Sequence, residues 1–279
     1  MKKVVIVGLG LIGASLGLAL RQRGTHVTGV DLPEVLGLDS AKAAADVVLP
    51  IGADERIHSA FSGSELTILA IPVSRIVALL PIALEHAPCV TDCGSTKRAI
   101  SQAAQLCLNS ERFVPGHPMA GLPGGGAANA RADLFLGRNW LVCPAHASEE
   151  ALSTVRGLLH ALGSNAVEMT AEAHDAAVAL TSHLPQLLGS IVKLLAHEQS
   201  ASVAAGPSFE RLTRAAGGAE NIWKDIFVSN GDDIARTVRA LIGCLEPLAS
   251  ELEALGPARG AGATPAKVLE LLALARAAL

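Results

Sequence analysis

Near its amino end the chain reads Val4-Val5-Ile6-Val7-Gly8-Leu9-Gly10-Leu11-Ile12-Gly13, and this stretch decides the fold. Val4–Val7 is a β-branched run that ends at Gly8, the pattern of a buried strand. Leu11–Arg23 has the length and composition of a helix and stops at Gly24. Val27–Val30 is a second strand, closing with Asp31. Strand, glycine turn, helix and strand make a βαβ unit, the seed of a parallel sheet. The glycines fall as G-x-G-x-x-G, and each has a physical reason. Gly8 permits the tight turn, Gly10 lets backbone approach a pyrophosphate, and Gly13 lets helix and strand pack closely. Leu11 and Ile12 begin the helix, whose free N–H groups and positive dipole end suit a dinucleotide's phosphates. Asp31, eighteen residues beyond Gly13, suits the adenosine ribose hydroxyls. Its charge would repel a 2′-phosphate, so the expected cofactor is NAD rather than NADP. Two other readings of this stretch exist: a glycine turn that merely packs, and a membrane segment over Val4–Leu20. The placing of the glycines speaks against the second.

Outward from this unit the alternation continues. Leu66–Ile71 reads as a strand, with Pro72 at its carboxyl end grouped among the cofactor-binding residues, and a helix runs on to about Leu84. Cys89–Asp92, Phe113–Val114, Leu141–Cys143 and Ala166–Met169 read as strands. Thr96–Leu108 and Glu149–Leu162 read as helices. The expected class is α/β, a Rossmann-type doubly wound parallel sheet. After Thr170 the strand signals end, and the pattern is helical with breaks near Gly206-Pro207, Gly217-Gly218, Asn230-Gly231 and Gly256–Pro265. A domain boundary is therefore placed near residue 170, with a dinucleotide-binding domain over 1–170 and an all-α domain over 171–279. Gly256–Pro265 reads as a linker. The apolar helix Ala266–Ala278 must dock on its own domain or on a partner.

The 279 residues are 50% apolar and 3% aromatic, so Ala, Leu, Val and Ile must build the core. A formal charge of -4 without a basic stripe excludes a nucleic-acid footprint. Cys89, Cys93, Cys107, Cys143 and Cys244 are odd in number and form no C-x-x-C pair. Disulfides and structural zinc are not expected, and a cytoplasmic setting fits. The amino end does not read as a signal peptide, and no membrane partner is expected.

Three further segments carry polar residues that a plain scaffold does not need. Asp92-Cys93-Gly94-Ser95-Thr96-Lys97 follows a strand, at the sheet edge where open α/β folds bind ligands. Ser95 and Lys97 there are placed to face the nicotinamide end of a cofactor, although Ser95 or Thr96 would also serve as a helix cap. Gly116-His117-Pro118-Met119-Ala120-Gly121 sets a histidine in what reads as a turn, and histidine suits proton transfer near neutrality. A surface-loop histidine is the alternative. Thr181-Ser182-His183-Leu184-Pro185 lies in a helix that Pro185 should kink by freeing the Thr181 carbonyl. A core histidine is the alternative for His183. His174 and His183 are nine residues apart, which is not a metal-ligand spacing, and no metal is expected. Gly124–Gly126 reads as a surface loop, with a mobile lid as the less favoured reading. No cysteine stands out as a nucleophile.

Taken in order, GLGLIGASL, DCGSTK, GHPMAG, SHLP, Phe209–Arg214 and Asn221-Ile222-Trp223 resemble the prephenate/arogenate dehydrogenase family over nearly the whole chain. The resemblance implies a Rossmann domain joined to a helical domain that forms a homodimer. It implies NAD-dependent oxidative decarboxylation of prephenate or arogenate in tyrosine biosynthesis. Hydride leaves the carbon bearing the ring hydroxyl, and loss of the ring carboxylate makes the ring aromatic. By likeness His117 is the base at that hydroxyl, Ser95 its hydrogen-bonding partner, and Arg214 the clamp for a substrate carboxylate, for which its planar fork is suited. His183 and Lys97 join the substrate pocket. Two departures stand out. Leu122-Pro123 follow HPMAG where many members have Ser/Thr-Glu, and Gln186 stands where many have the last His of SHLPH. Both bear on the choice between a keto and an amino acid side chain. The chain ends without a regulatory domain, so tyrosine feedback would act at the active site. A β-hydroxyacid dehydrogenase or imine reductase, with Lys193 or Lys224 as its lysine, is the alternative enzyme. A non-catalytic NAD-binding sensor is the alternative from another class.

Overall fold

A computed structural model describes residues 1–122, 125–144, 146–217, 220–255 and 264–278. The chain forms two compact units, residues 1–231 and 232–279. The first begins β1 (Lys3–Val7), α1 (Leu11–Arg21), β2 (His26–Asp31), α2 (Pro33–Leu36), α3 (Asp39–Ala44), β3 (Val47–Pro50), α4 (Asp54–Ser62) and β4 (Leu66–Leu69). It continues with α5 (Val73–His86), β5 (Val90–Asp92), α6 (Arg98–Gln105) and β6 (Phe113–Val114). These six strands form one sheet in the order β3-β2-β1-β4-β5-β6, every pair parallel. This is the doubly wound order, with the chain reversing direction across β1 and β4. Alternation along β1 explains its two cores. Val4 and Ile6 pack with α1 residues Leu16 and Leu20, whereas Val5 and Val7 pack with Ile76 and Leu80 of α5 on the opposite face.

The sheet differs from the sequence reading beyond β6. β7 (Gly116–Pro118), β8 (Asn139–Val142) and β9 (Asn165–Glu168) form a separate three-stranded sheet, with α7 (Glu149–Leu162) between the last two. The GHP segment, expected as a turn, is strand β7, antiparallel to β8 with His117 opposite Leu141. Pro118 is tolerated because β7 lies at the sheet's edge, where a missing N–H breaks no ladder. β3 was not read from sequence either. Its four residues, ending in proline, gain strand character from the four-residue pairing with β2.

The last strand ends at Glu168. α8 (Ala171–Val178) follows, then a π-helical turn over Ala179–His183, then α9 (Leu184–Glu198). The widened turn ends two residues before Pro185, at the predicted irregularity. α10 (Pro207–Thr213), a 3₁₀ turn over Arg214–Gly217 and α11 (Glu220–Ser229) complete the first unit, which thus holds helices together with both sheets. Residues 171–198 are long and apolar enough to cross a membrane by length and composition. That stretch nevertheless turns His174, Asp175 and His183 into the protein interior, each at most 1% exposed. In the second unit, α12 (Gly231–Ala254) and α13 (Ala266–Ala277) are joined where Glu251 accepts the Lys267 and Val268 N–H groups, capping α13. Most of the expected Gly256–Pro265 linker lies outside the described residues, as do Pro123 and Gly124.

The glycine turn has the geometry that its three roles require. Gly8 has φ +92°, and a Cβ there would collide with the Ala70 carbonyl. A Cβ on Gly13 would overlap the Gly8 carbonyl oxygen. Around Gly10 there is open space. Gly13→Ala is expected to lower stability by about 2 kcal/mol or more through overpacking. Gly10→Ala should leave the melting temperature nearly unchanged. Thermal unfolding of both variants without cofactor checks the contrast.

Candidate active site

The carboxyl edge of the parallel sheet gathers three loops: the glycine turn after β1, the Ile71-Pro72 segment after β4, and residues 93–97 after β5. No side chain caps α1, and its first turn carries no acid, so its amino end is open to phosphates. Asp31 Oδ2 accepts the Leu9 N–H at 2.6 Å and Oδ1 accepts the Leu32 N–H at 2.7 Å. The carboxylate is thereby fixed at the tip of β2, and each oxygen keeps capacity for a ribose hydroxyl. Pro72 is exposed at the N-cap of α5, on the same edge. These residues fit a dinucleotide, chiefly because the space a Cβ would take at Gly10 is empty while Gly8 and Gly13 are crowded.

Beyond β5 lies a buried ion pair. Asp92 and Lys97 are both fully buried, with Lys97 Nζ against Asp92 Oδ2. Lys97 Nζ also donates to the Gly116 carbonyl at 2.7 Å. Asp92 Oδ1 in turn accepts the Gly116 N–H at 3.0 Å, and Oδ2 accepts the Gly94 N–H at 2.8 Å. Lys97, expected in the substrate pocket, is fully buried in this structure. Its ammonium is spent on Asp92 and on the backbone beside His117, because a buried cation needs a counter-charge and acceptors.

His117, half-buried on β7, places Nδ1 2.9 Å from His174 Nε2. His174 Nδ1 lies 2.7 Å from Asp175 Oδ1. Asp175 also accepts the Lys97 N–H at 2.7 Å and the Arg98 N–H at 3.0 Å. It thus caps α6 from across the fold, and neither Ser95 nor Thr96 does so. Thr96 Oγ1 instead meets Ser229 Oγ at 2.8 Å. Ser95 stands half-buried in the loop after β5, and the partner of His117 Nδ1 is His174 rather than Ser95. Burial alone would raise the Asp175 pKa, but the bonds from His174 and from the Arg98 and Lys97 N–H groups hold it low. Burial pushes the His117 pKa well below its ordinary value, with His174, Lys97 and His183 adding to the effect.

His183 is buried on the π turn. Its Nδ1 lies 3.3 Å from Asn230 Nδ2, and its ring meets Trp223 edge-on with centroids 5.9 Å apart. Burial lowers its pKa to about 4. Gln186, one turn on, is 8% exposed. Arg214 opens the 3₁₀ turn after α10 with its side chain exposed. Lys193 and Lys224 are exposed on α9 and α11. Burial pushes the Cys89 and Cys143 thiols up to about 12, which argues against a thiolate nucleophile. The sequence reading missed His174, Asp175 and Asn230 as parts of the site.

Models of the prephenate dehydrogenase nucleotide-binding domain and dimerization domain match residues 16–168 and 170–255. The chain belongs to the prephenate dehydrogenase family. The glycine turn lies before the matched residues, so its own geometry carries the case for a dinucleotide. The chain is 32% identical over 249 residues to the prephenate dehydrogenase of Bacillus subtilis, covering 83% of this chain and 65% of that protein. It therefore spans about two thirds of that relative's length. It is 29% identical over 258 residues to the cyclohexadienyl dehydrogenase of Zymomonas mobilis, covering 88% of this chain and 87% of that one. The crystal structure of Synechocystis arogenate dehydrogenase superposes with a TM-score of 0.76 at 25% identity, covering 98% of both chains.

For cofactor choice, Asp31→Ser should raise the NADP-to-NAD preference. Removing a like-charge repulsion of about 1–4 kcal/mol corresponds to about tenfold or more. Dissociation constants for both nucleotides, measured by fluorescence titration, test this. An unchanged ratio removes Asp31 from the cofactor site.

Proposed function

We propose that this family member oxidises and decarboxylates a cyclohexadienyl acid, prephenate or arogenate, on the way to tyrosine. Bound NAD supplies the hydride acceptor. The observation that carries this reading is His117 itself. It stands at the carboxyl edge of the dinucleotide sheet, with Nδ1 taken by His174 and Nε2 left for a substrate. Its lowered pKa keeps the ring neutral at physiological pH and therefore ready to accept a proton.

In this reading His117 Nε2 takes the proton of the ring hydroxyl, which raises electron density on the carbinol carbon and eases hydride departure. The carbon–carboxylate bond then breaks, carbon dioxide leaves, and its electron pair completes the aromatic ring. Aromatisation drives the step, so the protein needs mainly to orient the substrate and remove one proton. Ser95 is assigned to the same hydroxyl, and Arg214 to a substrate carboxylate. His183 is assigned to the substrate pocket from the helical segment, and Gln186, one turn beyond it, to the side chain that distinguishes the two acids. We assign the cofactor site to the segment before residue 170 and the substrate contacts of His183 and Arg214 to the segment after it. We place the enzyme in the cytoplasm, which its five free cysteines suit.

Purified protein with NAD and either acid should give growing absorbance of reduced nicotinamide. His117→Asn should lower kcat by about 10³-fold while leaving NAD affinity intact. Because the His117 pKa is depressed, kcat/KM should be level above pH 6.5 and fall only in more acidic solution. A fall beginning near pH 7.5, or full activity in His117→Asn, would sink the assignment of the base.

We further propose a homodimer. Ile191, Leu194 and Leu195 on α9 are 47–55% exposed and, at spacings of three and four residues, share one face of the helix, where a partner subunit would cover them. Light scattering across a concentration series should give twice the chain mass. Monomer at every concentration overturns the proposal.

A further inference from the structure

The hydrogen bonds around Asp175 determine more than the position of His117. An ionised carboxylate only accepts, so His174 must place its proton on Nδ1 to bond Asp175 Oδ1 at 2.7 Å. Neutral His174 then has a lone pair on Nε2. The 2.9 Å contact from that atom to His117 Nδ1 is a hydrogen bond only if His117 carries its proton on Nδ1. Asp175 cannot turn away, because the Lys97 and Arg98 N–H groups of α6 hold one oxygen each. Its backbone is held as well, since Asn230 Nδ2 donates to the Asp175 carbonyl at 2.9 Å. The Asn230 amide is itself oriented, with Oδ1 accepting from Arg98 at 3.2 Å. Its Nδ2 therefore donates to His183 Nδ1, and His183 must hold its proton on Nε2.

We propose that Asp175 and His174 are positioning residues that lock His117 as the Nδ1–H tautomer and so aim a bare Nε2 lone pair at the substrate hydroxyl. This rests on the reading of His117 as the base, and it adds two residues that touch no substrate. Free histidine favours the other tautomer, in which Nε2 is protonated and cannot act as a base. When the hydroxyl proton arrives on Nε2, the Nδ1 proton remains in its bond to His174. The positive charge is then spread toward Asp175 without the carboxylate being protonated, the logic by which a buried acid orients a histidine base.

The tautomers are read by nitrogen-15 NMR of the imidazoles in the full chain at pH 7.5, assigned through the variants His117→Asn, His174→Gln and His183→Asn. Wild type should show protonated Nδ1 in His117 and His174, and protonated Nε2 in His183. Asp175→Leu removes the acceptor that holds the His174 proton on Nδ1, which frees that proton to move to Nε2, and should reverse both rings. His117 would then show Nε2–H, with kcat lowered about 10²-fold or more and KM within about threefold. His174→Gln keeps an acceptor near Nε2 and should preserve the His117 tautomer, with kcat within about tenfold. His174→Leu removes the acceptor and should return His117 to Nε2–H. If Asp175→Leu fails to fold, the two His174 variants decide the matter. An Nε2–H His117 in wild type, or an unchanged tautomer in His174→Leu, overturns the proposal. The spectrum is read without substrate, so a chain inactive toward both acids would refute the proposed reaction and leave this test standing.

Discussion

The site depends on the buried contact between Asp92 and Lys97. Asp92 at the end of β5 and Lys97 at the start of α6 each reach one backbone group of Gly116, the carboxylate its N–H and the ammonium its carbonyl. A β7 edge strand of three residues has little cohesion of its own, and this double grip ties it to the parallel sheet. A Cβ on Gly116 would press on Trp140 and the Asp92 carbonyl, so the residue before His117 must be glycine for the grip to close. Removing one partner would strand a charge in the interior, at a cost of about 3–5 kcal/mol. His117 is therefore held by its backbone on one side and by its ring on the other.

The two halves of the site use different physics. The dinucleotide side is made of backbone shape: a left-handed glycine, a close helix–strand contact, open space, and an uncapped helix end. Nothing there must titrate. The histidine side is made of side chains that are buried, charged or tautomeric, each holding another in one state. Asp175 serves α6 and His174 at once, and Asn230 serves Asp175, Arg98 and His183. Such a cluster is tolerated in the interior because most of its polar atoms find partners, as buried polar networks must.

What the sequence disclosed follows this division. The glycine turn was legible because backbone geometry restricts which residue can stand at 8 and 13. The helix Glu149–Leu162 was legible to the residue, since Ser148 caps its start and Gly163 takes the left-handed position at its end. Strand β7 was hidden by Pro118, which argues against a strand unless the edge position is known. Lys97 read as a pocket residue because its partner stands five residues back across a loop, and only packing shows that both are buried. His174 was weighed only as a metal ligand, and Asp175 lay unmarked beside it in an alanine-rich helix. Their one signal was a charged pair on a face that otherwise reads as apolar, nine residues before a motif histidine.

Asp175 also alters the meaning of the change in pattern at residue 170. The strands end there, and a reader of the sequence would divide the chain at that point. Yet the acceptors for two backbone N–H groups of α6 come from residue 175, and the helix carrying them lies on the far side of that division. A fragment ending at 170 would keep every strand and glycine of the nucleotide fold. It would also leave the first turn of α6 without its acceptors and His117 without its neighbour. The first half of this protein is thus not a portable module: its sheet can be written without the second half, but the hydrogen bonds around α6 and His117 are complete only when α8 arrives.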